Sequence, residues 1–291
     1  MAVSTRSEFV DFIVPLHERL KLYDTTRRST DQPQNNAADP ARAIPQGFID
    51  AMTVREQVFV EEQGVPQENE LDEDDERSFH WVAYASIPVK QNLTDGASQD
   101  ANGTNGHAHM DRRTSTSTKI PIGTIRLVPP PHPPHPTPGT HHKADALDGD
   151  LRKDSAIVHD SRVPYIKLGR LAVIPEFRKA GISKLLIDQA LGFAKANPYE
   201  IMPYHDPTKV EALRHENGGM GVDWRGLVLV HAQAAPGVQK VWRKYGFEAD
   251  EGMGVWDEEG IDHVGMWRRL DVDGGRRKSR QWPLHSPLGS P

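Results

Sequence analysis

Arg178, Lys179, Gly181 and Ser183 stand within six residues of one another, between an apolar run that stops at Pro175 and a stretch of helical spacing from Ile182. A turn of this kind aims free backbone N–H groups outward at a helix start, where the helix dipole also favours anions. Gly181 lets a ligand approach the backbone closely, Ser183 can cap the helix, and Arg178 and Lys179 add full positive charge. The chemistry implied is phosphate binding. Neither the Gly-Lys-Ser/Thr run of the nucleotide-triphosphate loop nor the GxGxxG of dinucleotide folds is present. Two other groups of residues have chemistry to offer. Residues 61–76 are strongly acidic, which reads either as a solvated loop or as a rim attracting a cationic amine. His132, His135, His141 and His142 have donors for a metal ion, but with no carboxylate or rigid element beside them they read as a flexible Pro/His-rich linker, and no metal is expected.

The elements that must position these residues follow from periodicity. Tyr165 to Ile174 is apolar and β-branched and reads as a buried strand. From Ile182, Leu186, Ala190 and Phe193, with Ile187, Leu191 and Ala194 beside them, recur at helical spacing. Further strands are expected at Phe9–Pro15, at His80–Ile87 with Lys119–Val128 as its hairpin partner, and at Met253–Trp256 and His263–Leu270. Gly226 to Gln233 is almost continuously apolar, as at the centre of a mixed sheet. Helices are expected over Phe48–Val60, stopped by Gly64 and Pro66, and from Pro236, with Val238, Val241, Trp242 and Tyr245 on one face. The fold class is therefore α/β of the α+β type, a mixed, mostly antiparallel twisted sheet of about six to seven strands flanked by helices.

Composition says the same of the remainder. The 291 residues are 36% hydrophobic with 23 Pro and 24 Gly, too polar for every segment to be core. A single domain over residues 1–270 is expected, carrying unstructured insertions at about 89–118, 129–162 and 197–223, then a disordered basic tail over 271–291 that includes Arg276, Arg277 and Lys278. The absence of cysteine excludes disulfides, thiolate metal sites and a cysteine nucleophile. A net charge of −6 argues against a general nucleic-acid binder. No long apolar run or leader is visible, so a cytoplasmic chain without membrane partners is expected, with the nucleus as an alternative through the tail.

The turn resembles the acetyl-CoA signature of the GNAT acetyltransferases, Arg/Gln-x-x-Gly-x-Gly/Ala, through Arg178 and Gly181, with Ser183 as a departure. Arg55-x-x-Val58-Phe59-Val60-x-Glu62-Gln63-Gly64-Val65-Pro66, followed by Glu70, Asp72, Asp75 and His80, resembles the opening of the ElaA-type branch. Tyr245-Gly246-Phe247 and Glu258-Glu259-Gly260-Ile261-Asp262-His263-Val264-Gly265-Met266 resemble its close, so the likeness spans residues 55–266. The low-complexity insertions read as those of a eukaryotic, fungal-like member. The resemblance implies transfer of acetyl from acetyl-CoA directly to a primary amine of a small molecule, by a monomer or homodimer; a protein lysine or N-terminus as acceptor, or a CoA-binding module without catalysis, are the alternatives.

It also implies roles. Leu171, Ala172 and Val173 would bind the pantetheine arm, and Arg178, Lys179, Ala180, Gly181, Ile182 and Ser183 the pyrophosphate. A base must deprotonate the ammonium, for which Glu62, Asp72, Asp75 and His80 are candidates; each also reads plainly as surface charge or, for His80, as a satisfied strand histidine, an ambiguity His263 shares. The family's acid tyrosine is replaced by Trp242. Tyr245, one turn on, either substitutes for it or packs in the core, and the helical period rotates it about 60° aside.

Overall fold

The structure is a computed structural model that describes residues 9–32, 43–88, 117–133, 135–142, 164–201 and 224–272. Within them the apolar runs form nine strands: β1 Val10–Ile13, β2 Phe79–Pro88, β3 Ser117–Val128, β4 His141–His142, β5 Ile166–Val173, β6 Leu227–Gln233, β7 Glu248–Ala249, β8 Val255–Glu258 and β9 Ile261–Arg269. They make one sheet in the order β1-β2-β3-β5-β6-β9-β8-β4, with β7 also on β9. All pairs are antiparallel except β5–β6 and β4–β8. The two strands beyond the expected seven, β4 and β7, are two residues each. A two-residue strand carries no alternation, so no periodic signal announces it.

Side-chain alternation along the strands builds the layers. On β2, Trp81 turns to Phe193 of the helix Ile182–Ala196, 5.5 Å between ring centroids, while its neighbour His80 turns to Phe48 on the other side, 5.2 Å away. One face of the sheet is thus covered by that helix and by Pro236–Arg243; the other is covered by Gln46–Arg55. These helices are α2, α4 and α1, and a short turn at Pro198–Ile201 is α3. Leu186, Ile187, Ala190 and Ala194 of α2 are wholly buried with Ile166, Val228 and Val230. Full burial of an aliphatic side chain is worth about 1.5–3 kcal/mol, so this face anchors α2 and the turn before it.

The Pro/His-rich stretch departs from the expected linker. Residues 129–142, where described, form a strap across the far end of the α1 face, over the cluster Tyr165, Leu229, Met253, Trp256 and Trp267. His132 stacks on Tyr165 at 4.4 Å and its Nε2 donates to the Tyr165 carbonyl at 3.0 Å. His135 lies edge-on to Trp267 at 5.7 Å. Gly139 N–H bonds the Val255 carbonyl at 2.8 Å, and Asp257 N–H bonds the Thr140 carbonyl at 3.0 Å. His141 pairs with Asp257 at 3.0 Å, and among the described residues no group of three metal donors gathers. A proline-rich run has preset backbone angles and no periodicity, so it packs in extended form while reading as a linker. Residues 89–116, 143–163, 202–223 and 273–291, which hold the rest of the expected insertions and tail, lie outside the described residues.

Candidate active site

β5 and β6 pair in parallel only from Ile166↔Val228 to Leu168↔Val230. Beyond that β5 stays with β3 and β6 with β9, so the two strands part. A bulge drives the parting: between Thr124↔Ala172 and Arg126↔Gly169, Arg170 and Leu171 of β5 face the single residue Ile125 of β3. Arg170 takes up the bend at φ +50. The gap opens into a cleft of about 410 Å³. Leu168 to Leu171 form one wall, His231, Ala232 and Gln233 the other, and Val238 and Trp242 of α4 close one end. From the opposite end come Phe59, Glu62 and Gln63. They sit on a π-helical continuation of α1, Glu56–Glu62, whose wider winding is seen in the Gln63 N–H bond to the Val58 carbonyl. Gln233 Nε2 donates to Gln63 Oε1 at 3.0 Å, tying the two sides together.

The turn after β5 leads through Pro175–Phe177 into α2. Lys179 and Gly181 have φ of +65 and +84. Among the described residues no backbone carbonyl accepts the N–H of Lys179, Ala180 or Gly181. The N–H groups of Ile182 and Ser183 belong to the first turn of α2, where helix geometry leaves them unpaired. Gly181 is the N-cap and no side chain caps the helix, so Ser183 does not take the capping role. Arg178 is engaged with protein: Nε donates to the Val173 carbonyl at 3.0 Å, Nη1 to Glu62 Oε1 at 2.7 Å, and Nη2 to Glu62 Oε2. The pair joins the two lips of the cleft. The bond from Arg178 holds the Glu62 carboxyl below its ordinary range, which weakens Glu62 as a base. Of the residues expected along the pantetheine strand, Leu171 lines the cleft, Ala172 is buried in the core and Val173 is half-buried.

The acidic run is divided: Glu61, Glu62, Glu68, Glu73 and Glu76 are exposed, with Glu62 on the lip of the cleft, while the rest turn inward. Glu70, Asp74 and Asp75 are buried, paired with cations from distant strands. Arg55 reaches Glu70 at 2.5 Å and Asp75 at 2.7 Å; Arg126 reaches Asp72 at 2.6 Å and Asp75 at 3.0 Å. Arg170 meets Asp72 at 2.7 Å, and Lys167 meets Asp74 at 3.1 Å. Burial alone would raise the Asp75 carboxyl, but Arg55 and Arg126 outweigh it and hold it far below the carboxylate range. Asp72 and Asp75 are thus committed to structure.

His80 lies outside the cleft, wholly buried against Phe48 with Nε2 3.8 Å from Asp75. Burial pushes its pKa down to about 3, so it is neutral and shut away. A test follows from linkage. Between pH 6.5 and about 3 the unfolded chain binds a proton at this residue that the folded chain refuses. Stability is therefore lost as pH falls through that window, with a slope from this group of up to about 1.4 kcal/mol per pH unit. Denaturant melts across the window should show a steeper acid loss for the wild type than for His80→Gln; parallel curves would refute the assignment.

Tyr245 also stays out of the cleft. It is half-buried, and burial followed by the nearby Asp188 of α2 raises its pKa. Trp242 holds the cleft position instead, buried with its ring edge-on to Phe247 at 5.3 Å.

The cleft contains a group that sequence reasoning passed over. His231 Nδ1 lies 3.0 Å from Glu258 Oε1, which also accepts the Trp256 indole N–H at 2.6 Å. His263, beside them, donates from Nδ1 to the Ile261 carbonyl at 2.8 Å, and burial lowers its pKa. The signal for His231 was a lone ionisable side chain within the apolar run Leu227–Val230 and Ala232.

No family model matches the chain. Among solved structures it is similar to Escherichia coli ElaA, at 15% identity over 89% of this chain and 99% of that one, with a TM-score of 0.37. It is similar to an acyl-CoA N-acyltransferase from Pseudomonas aeruginosa, at 15% identity over 89% and 99%, TM-score 0.36. Arabidopsis thaliana NAA60 in complex with acetyl-CoA matches at 13% identity over 90% and 98%, TM-score 0.31. At TM-scores this low the likeness carries no functional argument, and function must be read from the cleft itself.

Proposed function

We propose that the chain is a GNAT-type N-acetyltransferase that passes acetyl from acetyl-CoA directly to the primary amine of a small molecule. The observation that carries this reading is the parting of β5 from β6 directly above the turn at the start of α2. Past Leu168, β5 has an edge freed from β6, whose backbone groups suit an extended amide-bearing arm added like a strand. Leu171, Ala172 and Val173 are the residues along that edge. At its end the turn from Arg178 to Ser183 receives phosphate through the free N–H groups of Lys179 to Ser183, the Arg178 N–H being bonded to the Pro175 carbonyl. A long ligand with a pyrophosphate at one end and amides in the middle fits that order.

The thioester then lies where the strands part. The amine must first lose a proton; its lone pair forms the C–N bond at the thioester carbon, and the C–S bond breaks with its electron pair on sulfur. Two protons leave the ammonium in all, one ending on the thiol and one in solvent. With a thiol pKa of about 8.5 the leaving thiolate needs no dedicated acid, which accommodates Trp242 and a Tyr245 turned elsewhere. A cleft of about 410 Å³ is of the size that holds a small acceptor.

Calorimetry with acetyl-CoA, paired with thiol release in the presence of a polyamine, an arylalkylamine and a peptide with a free N-terminus, tests the reading. One bound acetyl-CoA per chain and release dependent on a small amine are expected. No binding would reject the function, binding without release would leave a CoA-binding module, and release with the peptide alone would move the acceptor to proteins.

A further inference from the structure

We infer that His231 is the general base that takes the proton from the acceptor's ammonium, with Glu258 as its positioning residue; this rests on the acetyl transfer proposed above. His231 follows Val230, the last residue of β6 paired with β5, and so stands at the point where the cleft opens. Its ring is walled by Trp256, edge-on at 5.0 Å, and by His135 of the strap at 6.3 Å.

The hydrogen-bond pattern decides its tautomer. Burial would raise the Glu258 carboxyl, but the bonds from His231 and Trp256 prevail and hold it at about 2, so it is ionised. A carboxylate only accepts, so Nδ1 of His231 carries the hydrogen and the lone pair of the neutral ring lies on Nε2. That Nε2 is closed off from bulk water and has no hydrogen-bond partner. An unmatched buried acceptor costs about 1–3 kcal/mol. His80 and His132 also carry unpaired ring nitrogens, but of the three only His231 lines the cleft. A substrate ammonium supplies the missing donor.

The competing groups are each spoken for. Glu62 is tied to Arg178, and His80 is outside the cleft. His263 is backed by the Ile261 carbonyl, whereas Glu258 hydrogen-bonds and stabilises the imidazolium that forms on His231. In the step itself, Nε2 takes a proton from R–NH3⁺, the freed amine forms the C–N bond, and the C–S pair leaves on sulfur. The imidazolium then gives its proton to the thiolate, and the second ammonium proton passes to solvent.

The test uses the full chain, the amines named above and nitrogen NMR of the histidine rings. His231→Gln should lower kcat by about 10²–10⁴ with acetyl-CoA affinity unchanged. Glu258→Gln should lower kcat by about tenfold or more, and His263→Gln by less than tenfold. The His231 ring should show hydrogen on Nδ1. Near-wild-type turnover in His231→Gln, or hydrogen on Nε2 in the neutral ring, would overturn the assignment while leaving the acetyltransferase reading intact. Failure of the wild type to bind acetyl-CoA, or to release thiol with any of the amines, would remove both.

Discussion

Arg55→Ala is expected to lower the free energy of unfolding by roughly 3–5 kcal/mol, the range for removing one partner of a buried ion pair. Arg55 is completely buried at the C-terminal end of α1, where its guanidinium meets two Asp75 oxygens at 2.7 and 3.0 Å and Glu70 Oε1 at 2.5 Å, and also bonds the Glu70 carbonyl. Alanine leaves two carboxylates in the interior, and Arg126 and Arg170, already engaged with Asp72, cover them only in part. Against a usual total of about 5–15 kcal/mol, the loss brings the fold close to its threshold, a fall in melting temperature of roughly 10 °C or more. Lysine should not rescue it, because a single ammonium cannot reproduce the fork. Arg55→Met combined with Asp75→Leu should cost less than the two single changes added together, since the stranded charge goes with its partner. A melt of Arg55→Ala within about 1 kcal/mol of the wild type would show that the network is dispensable.

The second large effect is on binding. Gly181→Val should abolish measurable acetyl-CoA binding in calorimetry, a loss of at least about a hundredfold, or roughly 3 kcal/mol. Gly181 holds φ +84, which a β-branched residue scarcely adopts. The space where a Cβ would stand contains no protein atom within 4 Å, so the substitution meets no clash and the fold survives at a strain of about 1–2 kcal/mol. Relief of that strain rotates the N–H groups of Gly181 and Ile182 away from their common target. Gly181→Ala should fall between valine and wild type. Undiminished affinity in Gly181→Val would mean that phosphate is held elsewhere.

Where structure depends on neighbours in the chain, the residues declared it. The strand to Pro175, the glycine turn and the amphipathic α2 were readable because periodicity, helix-start chemistry and a positive-φ glycine all act within a few residues. The same holds for the β2–β3 hairpin and for β6. The inward-facing part of the acidic run was misread because its cations, Arg126, Lys167 and Arg170, sit 50 to 100 positions away on strands that look apolar in outline. The strap was misread because polyproline geometry has no side-chain period to detect. His231 was passed over for a related reason: its meaning lies in Glu258 and Trp256, which only the β6–β9–β8 pairing brings alongside.

The strap has a consequence for how copies of this chain behave toward one another. An open sheet presents unpaired N–H and C=O groups along its outermost strands, a template for pairing with another molecule. Among the described residues one border is β1, four residues long, and the other is β4, the two-residue end of the strap laid along β8. Without β4 the exposed Val255 and the ladder behind it would form that border. The proline-rich segment thus acts as a selvedge on the sheet, and a truncation designed to remove it as slack would favour self-association as well as strip His135 from beside His231.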